Sequence, residues 1–417
     1  MDKNSPIPAL EKEYIRELAK KQLEYAKLPV MSERKRLWYL HNRSQGERPM
    51  VVMEESTFIN DILPPRRCEH PVTAGMERQF SQQIAAHETF DDDKVIPDYF
   101  YVFHSIHMNI LGQKQKRTRA AKGPGMHIDP LFETLEEGLP LLRPSEFACH
   151  AEESESYAKA AEDVLGDIMQ VVTKDGSNCW SSSPTGHIIG IMGMENMYFS
   201  LMAEPDNFHT LMRLMTDDIL RFLRWQEENS LLSLNNGNDY MGAGSYCFSD
   251  ELPQADFAGR VRPKDTWGHL NSQESIGISP KQFEEFIYPY YEMIAKEFGL
   301  IYYGCCEPVH AFWDKSLSRL PNLRKISISP WCDEEFMGER LAGGRIIYSR
   351  KPSPIFLGVE AGFDEEAFTK HIRKTAAAVK GKCKAEIIFR DIISLHGNIE
   401  KTRRAVEITR NIMEDIY

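Results

Sequence analysis

With 417 residues and a net charge of -12, the chain is long enough for a large barrel or two smaller domains, and its acidity argues against a nucleic-acid binder, which needs a basic surface. A hydrophobic share of 42% and a charged share of 27% are those of a globular protein. No apolar run reaches membrane-spanning length, the chain opens on Asp2, Lys3 and Asn4 rather than an apolar leader, and eight scattered cysteines show no secreted framework, so a cytoplasmic location is expected.

In chain order, the first 45 residues read as two amphipathic helices. Residues 49–53 (Pro-Met-Val-Val-Met) come next as a first strand, and 99–103 as a second. The stretch between them, 61–98, is polar and weakly periodic and reads as an insertion over one end of the fold. The basic run at 114–119 reads as a solvated loop. Segments 179–182 and 236–246 are weaker strand candidates. A helix over 207–229 carries an apolar stripe of Phe208, Leu211, Met212, Met215, Ile219, Phe222 and Leu223. Ser279-Pro280-Lys281-Gln282 has the form of a helix start, and Pro289 is expected to kink that helix.

From residue 299 the alternation is regular. Strands are expected at 299–305, 324–329, 345–349 and 384–389, with helices near 309–320, 333–342, 365–380 and 398–416. Four successive βα units imply parallel strands with right-handed crossovers. Eight strands in roughly 350 residues favour a (β/α)8 TIM barrel, in one domain spanning 1–417 with the N-terminal helices outside it. A nucleotide-binding sheet is disfavoured because no glycine occurs after the first strand at 54–56.

The run Gly-Leu-Ile-Tyr-Tyr-Gly-Cys-Cys-Glu-Pro at 299–308 places two thiols and a carboxylate at the C-terminal end of a buried strand, where barrels hold their chemistry. Successive strand side chains face opposite ways, so at least one of Cys305 and Cys306 is expected to face a pocket or a metal. Trp180, Tyr246, Phe248, Trp267, Tyr303 and Trp331 fall at predicted strand ends and form a candidate aromatic rim for an aromatic substrate, although core packing explains any one of them equally well. His269 reads as a polar wall residue beside Trp267.

Gly-His-Ile-Ile-Gly-Ile-Met-Gly-Met-Glu from 186, Gly-Ile-Ser-Pro-Lys-Gln-Phe-Glu-Glu-Phe from 277, and the strand-to-loop at 389–398 together resemble the uroporphyrinogen decarboxylase superfamily from about residue 160 onward. The resemblance implies a (β/α)8 barrel. It also divides by chemistry. Porphyrinogen decarboxylases carry an arginine-rich N-terminal motif, whereas here the matching stretch ends in Glu54-Glu55, which would repel a substrate with many carboxylates. The other branch consists of cobalamin-dependent methyltransferases with zinc on a His-x-Cys pair and a distant cysteine. Tyr303-Gly304-Cys305 takes the place of that pair, matching the cysteine and not the histidine, and Arg390-Asp391 stands where the later cysteine would fall. The Cys-Cys-Glu-Pro form looks like the O-demethylase subgroup.

What the resemblance implies is a methyltransferase that moves a methyl group from a small methoxylated, aromatic compound to the cobalamin of a separate corrinoid protein, since no Asp-x-His-x-x-Gly corrin motif occurs here. Zinc is then expected on Cys305 or Cys306, with Glu307, Cys332, His310 or Glu274 as further ligand candidates; Glu274 alternatively serves as general acid, and Tyr303 joins it as a catalytic candidate. Trp180, Tyr246, Trp267, His269 and Trp331 are the expected substrate contacts. Arg390 and Asp391 read as a structural ion pair. A second-stage methylcorrinoid methyltransferase, a decarboxylase and a non-catalytic corrinoid-binding barrel are the alternatives; a homodimer is compatible with all of them.

Overall fold

The computed structural model describes residues 5–114, 116–119, 126–176 and 181–415. Eight strands in parallel pairings organise it: β1 (Met50–Met53), β2 (Tyr99–Phe103), β3 (Gln170–Lys174), β4 (Trp267–Leu270), β5 (Leu300–Tyr303), β6 (Leu323–Ile328), β7 (Ile347–Arg350) and β8 (Ala385–Phe389). Six of them form one sheet in the order β1-β8-β7-β6-β5-β4, and β2 and β3 pair with each other in a separate parallel ladder. The first strand in the chain therefore pairs with the last, Met50 opposite Glu386. β1, β4, β5, β7 and β8 are buried along their whole length, which is why they read as short runs without clean alternation.

Helices cover the outer face. Pro205–Glu228 and Tyr288–Ala295 pack their apolar stripes into one core with Ile301, Tyr303, Ile326, Ile387 and Phe389 from the strands. Ser279 and Gln282 form the expected capping box, Ser279 Oγ accepting from the Gln282 amide at 3.2 Å and Gln282 Oε1 from the Ser279 amide at 2.9 Å. The kink attributed to Pro289 is a π-helical turn over Phe283–Ile287, immediately before it; a proline without an N–H favours such a widened turn. The N-terminal helices are Ala9–Ala26 and Pro29–Asn42.

Several expectations need correction, among them the loop at 114–119, where Lys116–Arg119 is a strand paired antiparallel with Met126–Asp129. The polar stretch before β2 is no insertion: Pro71–Phe90 is a 20-residue helix in the connection from β1 to β2, burying Met76, Phe80, Ile84 and Phe90. Its polarity misleads because Glu77 is itself buried, accepting the amides of Arg67 and Cys68 at 2.9 and 2.8 Å. Segment 236–246 holds only a two-residue antiparallel pairing of Tyr240–Met241 with Ser245–Tyr246. The strand candidate at 179–182 falls partly outside the described residues, and the strand in that region is β3 instead.

Candidate functional site

β5 ends at Tyr303 and the chain turns at Gly304, whose φ of +96° is a left-handed value. A Cβ there would stand 3.0 Å from the Ser327 Cβ, so glycine is needed for space as well. The turn abolishes strand alternation, and the two thiols converge instead of diverging: Cys305 Sγ and Cys306 Sγ lie 3.5 Å apart. Cys305 is buried, whereas Cys306 lines an open cleft of about 610 Å³ with Ile189, Met194, Glu274, Ile276, Glu307 and Trp331. Hydrogen bonding to Cys305 and burial push the Cys306 thiol strongly upward.

Glu307 is fully buried at the cleft floor. Its Oε1 accepts the Ser272 amide at 2.9 Å and its Oε2 the Cys305 amide at 2.8 Å, so this carboxyl ties the cysteine turn to the loop after β4. Burial raises its pKa against those two amides, with Glu274 adding to the rise. Glu274 is also in the cleft lining; its Oε2 accepts from Thr185 Oγ1 at 2.8 Å, and Thr185 in turn lies 2.7 Å from the Tyr291 hydroxyl.

Across the mouth, Cys306 Sγ meets Asp391 Oδ2 at 3.5 Å. Asp391 and Arg390 come directly after β8, and Arg390 Nε lies 3.4 Å from Asp391 Oδ1 and 3.2 Å from Glu54 Oε2. Glu54 accepts the Tyr240 hydroxyl at 2.7 Å. This polar chain leads from the cleft to a second cavity of about 200 Å³, lined by Tyr99, Tyr101, Tyr240 and Tyr246 with Lys174 and Asp239. Glu55 pairs with Lys94. Both acids after β1 are therefore neutralised, which weakens the repulsion expected of them; equally, Arg390 and Lys94 are engaged by these acids rather than presented to a substrate.

Beneath the mouth lies a polar cluster that the sequence reading missed. Glu386 of β8, fully buried, accepts from Lys325 Nζ at 3.0 Å, Ser245 Oγ at 2.9 Å and Ser349 Oγ at 2.5 Å, with His41 Nε2 at 3.1 Å. Despite burial, which alone would raise it, Lys325 and His41 hold this carboxyl well below the usual range. Lys351 Nζ bonds Ser349 Oγ at 2.6 Å and the Tyr302 hydroxyl, and burial lowers its pKa to about 7. The readable signal was charge at inward positions: Lys325 and Glu386 interrupt otherwise apolar buried strands.

The other expected site residues scatter. Tyr303 is buried on the helix side, its hydroxyl 2.6 Å from Ser272 Oγ, because neighbouring strand residues face opposite ways and Tyr302 takes the inner face. Trp267 begins β4 and so lies at the strand's opposite end from the mouth, donating from its indole to the Cys247 carbonyl at 2.8 Å. His269 is fully buried and bonds the Gly304 carbonyl at 3.2 Å, holding the cysteine turn from below. Tyr246 lines the smaller cavity, and Trp331, 74% exposed, stands on the cleft wall. Phe248 packs in a separate core with Trp38. The five described aromatics thus make no common rim; Trp180 lies outside the described residues.

Two thiolates sharing one tetrahedral zinc at bonds of about 2.3 Å stand roughly 3.7 Å apart, and a thiolate and carboxylate oxygen roughly 3.5 Å. The Cys305–Cys306 and Cys306–Asp391 separations fit these edges. Cys305, Cys306 and Asp391 do not close as a triangle within 4.8 Å, a gap that the half-exposed Asp391 side chain can narrow by rotation. Glu307 is turned to two amides and Cys332 Sγ to the Glu307 carbonyl at 3.8 Å, so neither faces the sulfur pair as a ready donor. His310 Nδ1 accepts the Asp333 amide at 3.2 Å.

No family model matches the chain, and no curated protein matches it. Among solved structures, it is similar to a methyltransferase from Methanosarcina mazei, with a TM-score of 0.49 and 10% identity over 89% of this chain and 97% of that one. Among the described residues, no helix is long and apolar enough to cross a membrane.

Proposed function

We propose that the chain is a (β/α)8-barrel methyltransferase of the uroporphyrinogen decarboxylase superfamily. It would take a methyl group from a small methoxylated aromatic and pass it to the reduced cobalamin of a corrinoid protein, with zinc on Cys305, Cys306 and Asp391. The observation that carries this reading is the sulfur pair, 3.5 Å apart at the end of β5 and opening through Cys306 onto the cleft. The eight strands in parallel pairings and the pairing of β1 with β8 support the barrel.

In the reaction, the methyl C–O bond breaks, the electron pair stays on oxygen, and the methyl carbon passes to the partner's cobalt. A bound zinc would supply Lewis acidity at the ether oxygen. The chain's own groups have separate tasks. Glu274, in the cleft and oriented by Thr185, would deliver a proton to the departing phenolate oxygen. Glu307 and His269 hold the cysteine turn in place from below. Trp331, Ile276, Met194 and Ile189 form an apolar wall against which a substrate ring packs.

The test mixes the protein with a reduced corrinoid protein and a panel of methoxyarenes, monitoring the spectral change from cob(I)alamin to methylcobalamin. Methylation with at least one methoxyarene is expected. Absence of methylation with every compound, together with carbon dioxide release from an aromatic or porphyrin acid, would establish a decarboxylase instead.

A further inference from the structure

A second group of metal-ligating side chains lies outside this site, on the excursion between β2 and the helix Ala151–Leu165. Strand Ile106–Met108 pairs antiparallel with Phe147–Cys149, His107 opposite Ala148. The His150 amide donates to the Ser105 carbonyl at 2.8 Å, which extends the ladder by one step and sets His150 beside His107. Their rings stack at 4.4 Å between centroids with 28° between planes. Glu153 sits in the first helical turn, its amide on the His150 carbonyl at 3.0 Å. The Ser105 hydroxyl stands between two of these groups, 3.2 Å from His107 Nε2 and donating to Glu153 Oε2 at 2.9 Å.

One ring nitrogen from each histidine and one Glu153 oxygen all lie within 4.8 Å of one another, the only group of three or more His, Cys, Asp or Glu donors to do so among the described residues. We propose that His107, His150 and Glu153 form a binding site for a divalent transition cation such as zinc or nickel. Two imidazoles and a carboxylate are the donor types these ions take, and the exposed side leaves the remaining positions to water. Tetrahedral coordination needs donor separations of roughly 3.3 Å. The remaining closure is within the reach of side-chain rotation, since all three residues are exposed. The Ser105 hydroxyl then moves to the outer oxygen of Glu153 and orients that ligand.

The three donors come from two separate pieces of backbone: His107 from a strand, and His150 with Glu153 from the turn that leads from the partner strand into a helix. An ion held there ties the excursion at its base to the helix leading back along the sheet. This site has no sulfur, which separates it chemically from the cysteine pair and makes it independent of the methyltransferase reading.

The experiment is calorimetric titration of the full chain with nickel and zinc in a Cys305→Ser, Cys306→Ser background, which removes the sulfur site. One saturable equivalent is expected. His107→Ala with His150→Ala should abolish it, and Glu153→Gln, nearly isosteric, should weaken it more than about 10-fold with an unchanged far-UV circular dichroism spectrum. Absence of a saturable equivalent in this background, or undiminished binding in the histidine variant, overturns the proposal.

Discussion

Cys306 Sγ and Asp391 Oδ2 lie 3.5 Å apart although they come after β5 and β8, which are three places apart in the sheet. In a flat sheet those strand ends would stand roughly 14 Å from each other at about 4.8 Å per strand. Contact between them therefore requires the sheet to curl about its concave face. The same curl lets Lys325 of β6 reach Glu386 of β8 and Tyr302 of β5 reach Ser349 of β7. Curvature, more than any single strand, brings the candidate site together.

If the sulfur pair holds zinc, protein dialysed against a weak chelator should retain close to one zinc per chain. The Cys305→Ala, Cys306→Ala double variant should lose nearly all of it, and Asp391→Asn should retain less than wild type. Elemental analysis reads this directly; full retention in the double variant would end the zinc assignment.

The two thiols differ in access, Cys305 buried and Cys306 lining the cleft. The raised Cys306 pKa makes alkylation slow near neutral pH, so iodoacetamide at alkaline pH should label Cys306 before Cys305, and added zinc should slow that labelling severalfold. Peptide mass mapping after partial alkylation decides the order. Preferential modification of Cys305 would contradict the cleft geometry.

Glu386 is the hub of the interior cluster, engaged by Lys325, His41, Ser245 and Ser349. Replacing it by alanine leaves Lys325 as an uncompensated buried cation and should cost about 3–5 kcal/mol in urea unfolding. Adding Lys325→Met to Glu386→Ala should recover part of that loss. If the double variant is as unstable as the sum of the singles, the pair is not coupled as the geometry implies.

Lys351 has its pKa lowered from 10.5 to about 7 by burial. Between those values the unfolded chain holds a proton that the folded chain does not, so this residue makes stability rise with pH through that window. Compared with Lys351→Met, wild type should gain on the order of 2 kcal/mol between pH 7 and pH 9. Parallel slopes for the two proteins would show that the amine titrates normally.

Trp331 is 74% exposed on the cleft wall, so its removal should barely touch folding. Trp331→Ala is expected to stay within about 0.5 kcal/mol of wild type while raising KM for a methoxyarene several-fold. An unchanged KM would place substrate elsewhere, with the tyrosine-lined cavity beside Lys174 the next candidate.

Much of the fold was legible because βα units state their periodicity locally. The four strands from residue 299 onward, the last three of their helices, the first two strands and the Ser279 capping box emerge near the predicted positions. β3 and β4 did not, and the helix expected at 309–320 is only the short His310–Trp313 turn and a 3-10 turn at Leu317–Arg319. Trp-Gly-His-Leu has no strand pattern, and Gly268 is demanded by Phe298, whose ring a Cβ would meet at 2.5 Å. The helix Pro71–Phe90 was concealed by Glu77, whose burial is explained only by backbone amides outside that helix.

The amino-acid sequence by itself determined the alternating parallel architecture and the presence of two thiols and an acid just past a strand end. Both depend on neighbours in the chain: hydrophobic period, turn residues and adjacency. Only the tertiary structure decided which atoms meet. The left-handed turn at Gly304 swings both sulfurs to one side, the curl of the sheet delivers Asp391 from β8 while Glu307 turns to the amides of Ser272 and Cys305, and the pleat sends Tyr302 inward and Tyr303 to the helices. Those choices depend on strand curvature and on unpaired amides contributed by distant segments, and neither has a signature in local sequence.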